Sequence, residues 1–175
     1  MKKIFSILMA LMMFITVSAQ NYEYPGTFGM PYVNVNVGGI SVNGLSSLVN
    51  SEFNDFVGAF RPTVGLEFGT YVTPVWGASI EGMAHFNTTG SYTAVDQSTV
   101  LVNGKANLSN FFAGYKGYPR RVELVAVGGI GWGHDYGEPI IDPNYVVYNT
   151  GLELNANLGA ARAWQISLRP TVLWN

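Results

Sequence analysis

The chain has 175 residues, nine Lys and Arg against eleven Asp and Glu, and no cysteine. A net charge of −2 leaves no basic footprint for nucleic acid, and the missing cysteine excludes both a disulfide framework and a lipid-modified N-terminal cysteine. Charged residues make up 11% of the chain, against roughly 25% in ordinary soluble domains; a surface so poor in charge suits lipid better than water.

Residues 1–19 read as a secretory leader. Lys2 and Lys3 supply its positive region, Ile4 to Val17 its apolar core, and Val17-Ser18-Ala19 a small-residue cleavage site before Gln20. The apolar part falls short of the roughly 20 residues that a membrane-spanning helix needs. Residues 20–29 hold Pro25, Gly26 and Gly29 and read as a short periplasmic lead-in, and residues 30–175 as one barrel domain.

Seven stretches then alternate apolar residues with small or polar ones, the period of a β-strand with one greasy and one wet face. In the first, Val33, Val35 and Val37 alternate with Asn34, Asn36 and Gly38. The apolar parity flips at Gly38-Gly39, since Ile40 and Val42 continue the set, which predicts a bulge. The second is the clearest: Phe60, Pro62, Val64, Leu66 and Phe68 interleave with Arg61, Thr63, Gly65, Glu67 and Gly69. The third runs from Trp76 through Ile80 to Phe86, with Ser79, Glu81, Met83 and His85 opposite. The fourth sets Val102, Ala106, Leu108 and Phe112 against Asn103, Lys105, Asn107 and Ser109. In the fifth, Val122, Leu124, Ala126, Ile130 and Trp132 oppose Arg121, Glu123 and Gly129. The sixth sets Val146, Leu152, Leu154 and Leu158 against Asn149, Glu153, Asn155 and Asn157. The seventh sets Trp164, Ile166, Leu168, Val172 and Trp174 against Gln165, Ser167, Arg169 and Thr171. Pro170 cannot donate to a ladder, so it fits there only if it faces away from a partner.

Loop length alternates with strand order. Long polar connections are expected at 44–58, 88–99 and 135–144, and short ones near Val72-Pro74, Gly114-Pro119 and Gly159-Ala161. Bacterial membrane barrels put short turns on the periplasmic side and long loops outside, where these three loops would meet a surface ligand or adhesion partner. The apolar face could equally clothe the core of a soluble barrel or sandwich. Three features favour lipid. The wet face is mostly Gly, Ser, Thr and Asn; aromatics bracket the greasy faces (Trp76 with Phe86, Trp164 with Trp174, Phe60 with Phe68); and the wet-face charges balance. Arg61, Lys105, Arg121 and Arg169 stand against Glu67, Glu81, Glu123 and Glu153, a set that can form an interior ion network.

The chain resembles the small outer-membrane barrels of the OmpA/OmpX type, in the form common among Bacteroidetes-like bacteria. The resemblance lies in the leader end Val17-Ser18-Ala19-Gln20, in Gly65-Leu66-Glu67-Phe68-Gly69-Thr70-Tyr71-Val72-Thr73-Pro74, in Asn107-Leu108-Ser109-Asn110-Phe111-Phe112, and in the Gly-rich stretch Val127 to Gly133. It implies an antiparallel up-and-down transmembrane barrel of eight strands with a side-chain-filled interior, serving envelope integrity or adhesion. Seven strands are visible, so an eighth is expected beyond Asn175.

No catalytic, cofactor or metal site is expected. Ser79, Glu81 and His85 share a strand face, but residues two apart stand in line rather than converge as a triad must. His134, Asp135, Glu138 and Asp142 lack the spacing of a calcium loop. The glycines at 128, 129, 131 and 133 do not form a dinucleotide fingerprint and point to close strand packing. The reading is a monomeric, non-enzymatic outer-membrane barrel without an open pore. Its rivals are a lipid-modifying barrel enzyme and a secreted β-barrel that binds a small apolar ligand.

Overall fold

The computed structural model describes residues 15–20, 30–41, 60–86, 94–136, 144–159 and 164–174. The expected lead-in from 21 to 29 lies outside them, as do all of the expected loop 44–58, half of 88–99 and most of 135–144. Among the described residues the strands are β1 (Ile15–Gln20), β2 (Met30–Ser41), β3 (Phe60–Tyr71), β4 (Trp76–His85), β5 (Gln97–Asn107), β6 (Val122–Asp135), β7 (Asn144–Leu158), β8 (Trp164–Leu168) and β9 (Thr171–Trp174). One helix, α1 (Leu108–Ala113), lies between β5 and β6.

Every pairing is antiparallel, and β2 to β7 pair in sequence order. Strand β8 pairs with β7 on one side and β1 on the other, and β1 pairs with β2, so the ring closes. The protein is an all-β, antiparallel up-and-down barrel. Period two builds it: odd and even residues point to opposite sides of each strand, and closure turns those two sides into an outer wall and an interior. The helix end carries α1 and the turn 72–75; the far end is where β2, β4 and β6 finish.

All seven expected strands are present, and the structure revises them at five points. First, no bulge interrupts the β2–β3 ladder: Gly38 stands opposite Thr63, Gly39 opposite Pro62 and Ile40 opposite Arg61. Glycine has no side chain to declare a face, so the strand stays in phase and Ile40 turns inward, 2% exposed. Second, the strand expected to include Leu108 and Phe112 stops at Asn107, whose side chain accepts the Asn110 backbone N–H at 2.9 Å. That N-cap starts a helix and leaves Phe112 exposed on it. Third, the β5–β6 connection therefore runs from 108 to 121 and is not short.

Fourth, the seventh strand breaks at Arg169-Pro170 into β8 and β9, which keep one register along β7: Leu154 opposite Leu168, Gly151 opposite Thr171. The Pro170 carbonyl accepts the Leu152 N–H at 3.2 Å. A residue exchanges both ladder bonds along one edge, so proline turns its missing donor toward β7, not away from it. Fifth, the stave expected beyond Asn175 has its place between β2 and β8 filled by β1, the end of the expected leader.

Candidate functional site: a buried ion network

The alternation sends charge inward. Leu66 and Leu154 are 50% and 47% exposed, while their neighbours Glu67 and Glu153 are 1% and 3% exposed. Inside, Glu67 on β3 stands directly opposite Glu81 on β4. Like charges so placed destabilise a sheet, and the structure answers with two cations. Arg169, between β8 and β9, pairs with Glu81 and lies 3.6 Å from the second oxygen of Glu67. Lys105 Nζ on β5 reaches Glu67 at 2.8 Å and Glu153 on β7 at 2.9 Å.

Three carboxylates on two cations leave one negative charge over, and amide donors help to absorb it. Asn34 Nδ2 donates to Glu67 at 2.9 Å, and the Tyr32 hydroxyl donates to the other oxygen at 3.3 Å. Asn36 Nδ2 and Asn103 Nδ2 donate to the two oxygens of Glu81 at 2.6 and 3.1 Å. Lys105 also sits 5.0 Å from the centre of the Tyr32 ring, in cation–π range. Burying charge is tolerable only with this degree of saturation.

Two glycines make the room. A Cβ on Gly69 would lie 2.3 Å from the Tyr32 phenol, and one on Gly129 would lie 2.3 Å from Asn103 Oδ1. Asn103 Oδ1 accepts the Asn149 amide at 2.9 Å across that gap. Close strand packing accounts for the glycine.

Five of the eight residues expected in the network come together: Glu67, Glu81, Lys105, Glu153 and Arg169. Three do not. Glu123 is buried, but its oxygens take the Arg120 backbone N–H at 3.1 Å and the Asn157 amide at 3.4 Å. Arg121 is exposed just before β6, outside the ladder that would have turned it inward. Arg61 is half-buried and lines a separate cavity at the far end. The donors that sequence reasoning missed are Tyr32, Asn34, Asn36 and Asn103. All share the inward parity, the one signal by which an amide can be matched to a carboxylate.

The Ser79, Glu81 and His85 side chains all turn inward without forming a relay. His85 Nδ1 bonds the Thr63 hydroxyl at 2.8 Å and Nε2 the Thr99 hydroxyl at 3.3 Å, while Glu81 serves asparagines and Arg169. His134 bonds Asn144 at 3.0 Å, and Asp135 accepts the Tyr145 hydroxyl at 3.3 Å. Glu138 and Asp142 lie outside the described residues, among which no group of three metal-binding side chains gathers. Each carboxylate of the network meets a cation or an amide, which staples strands across the interior, while the buried Asn34 Oδ1 makes no hydrogen bond among the described residues. No family model, no curated protein and no solved structure matches this chain.

Proposed function

We propose that the protein is an outer-membrane β-barrel of structural or surface-interaction type, delivered by cleavage after Ala19 and embedded in lipid as a monomer. The supporting observation is the reversal of solvent: an exposed wall of Val33, Val35, Val37, Leu66, Phe68, Ile80, Val102 and Leu154 around buried ions. Water would favour the opposite arrangement, because apolar area costs free energy when wet. Processing after Ala19 leaves the ladders from β2 through β8 intact, and such strand-to-strand pairing is how a β-wall satisfies its peptide groups in hydrocarbon. Trp76 and Trp164 at the helix end, and Trp132 and Tyr148 toward the far end, are exposed where headgroup regions would meet the wall. Ion pairs cross the middle of the interior, which argues against an open pore. The engagement of each network carboxylate by a cation or an amide favours a scaffold over an enzyme.

Membrane assembly of the full chain, read by fractionation and by heat-dependent gel mobility, tests this reading. Leu154→Arg places a cation on the wall at a cost of about 2–4 kcal/mol at mid-depth and should block assembly, whereas Asn155→Ser should assemble. Equal behaviour of the two variants, or a wild-type chain that stays soluble without detergent, would overturn the proposal in favour of a secreted barrel.

A further inference from the structure

Beyond the ion network, a partly open cavity of about 190 Å³ lies at the far end of the barrel. Its floor is hydrocarbon: Ile40, Val147 and Leu173 line it and pack in one cluster with Met83 and Leu101. Most polar groups of its wall are spent on one another. Both ring nitrogens of His85 are engaged by threonines. The Tyr145 hydroxyl bonds Asp135, and Gln97 bonds the same phenol oxygen. Arg61 is the exception. Half-buried in the cavity wall, its guanidinium makes no hydrogen bond or ion pair among the described residues.

A guanidinium presents five donors in a planar fork that matches a carboxylate, and it cannot shed its charge. Here that fork stands beside an apolar floor. A dry cavity of about 150 Å³ accepts benzene, so this one has room for a single ring with a small polar group. Asp135 on the same wall, bonded to Tyr145 and within the field of Arg61, already offsets part of that charge and disfavours a ligand with more than one carboxylate. We propose that the cavity binds a small monocarboxylate with an apolar body of about one aromatic ring, its carboxylate on Arg61 and its hydrocarbon on Ile40, Val147 and Leu173. The proposal holds whether the barrel sits in lipid or is secreted, so its test is independent of the membrane reading.

The experiment is calorimetric titration of the full chain, folded in detergent micelles or in plain buffer as its solubility dictates, with benzoate and with its neutral isostere benzamide. Saturable benzoate binding, at least tenfold tighter than benzamide, is expected for the unaltered protein. Arg61→Gln should weaken benzoate at least tenfold and leave benzamide unchanged, while the exposed Arg121→Gln changes neither. Leu173→Trp should fill the floor and weaken both. Absent benzoate binding, or equal affinity for the two probes, overturns the proposal on the unaltered protein alone. So does benzoate affinity that survives Arg61→Gln in a chain that still folds.

Discussion

The middle of the barrel and its far end are built on the same inward faces, yet they are filled with opposite kinds of side chain. On β4 the inward sequence passes from Glu81 to Met83; on β5 it passes from Asn103 to Leu101; on β2 it passes from Asn36, across Gly38, to Ile40. One inward step, about 7 Å along a strand, changes the interior from ions to hydrocarbon. The boundary falls where partners run out. Glu81 has Arg169 and two asparagine amides, whereas one step beyond it Ile40, Met83 and Leu101 offer a charge no hydrogen-bonding side chain.

Three single substitutions, one of them with a compensating second change, probe that boundary from the largest effect to the smallest. Arg169→Met should cost about 3–5 kcal/mol in urea unfolding, since it leaves Glu67 and Glu81 face to face without their shared cation. Adding Glu81→Leu should recover much of that loss. A single variant as stable as wild type would mean that the ion pairs do not hold the middle together. At the far end, Leu101→Ala removes a side chain only 1% exposed and should cost about 2–4 kcal/mol through the void it leaves. Its effect should add to that of Arg169→Met in a double variant if the two regions are independent; strong coupling would show that they act as one. Asn36→Ala deletes one donor to Glu81 and should cost about 1.5–3 kcal/mol, again by urea unfolding. A neutral result would assign the saturation of Glu81 to Arg169 and Asn103 alone.

Much of this architecture was legible from period two alone. The wall residues and the five residues of the ion network follow from which side of the alternation each occupies, because strand parity is set locally. Depth along the barrel is not. Arg61 and Lys105 look alike in sequence, yet one reaches the paired middle and the other stops at the far-end cavity, a difference fixed by register among strands. Arg121 misleads for a related reason: it continues the polar parity of β6 backwards past the point where the ladder begins. Ile40 reads as part of the outer wall because Gly38-Gly39 hides the phase, and Phe112 reads as strand because Asn107 can cap a helix as readily as it ends a strand. The stretch Ile15–Gln20 satisfies two codes at once, the tail of a leader and an alternating strand, and only its pairing with β2 and β8 separates them.

Strand β1 lies antiparallel to both of its neighbours, so β2 and β8 point the same way. Processing after Ala19 would take Ile15 to Ala19, five of the six residues of β1, and switch the ring from an even to an odd tally of staves. Two like-directed edges cannot mate in the fashion of every other joint in the wall. They either join side by side with slanted hydrogen bonds, as parallel strands do, or admit a replacement stave threaded from the far end toward the helix end.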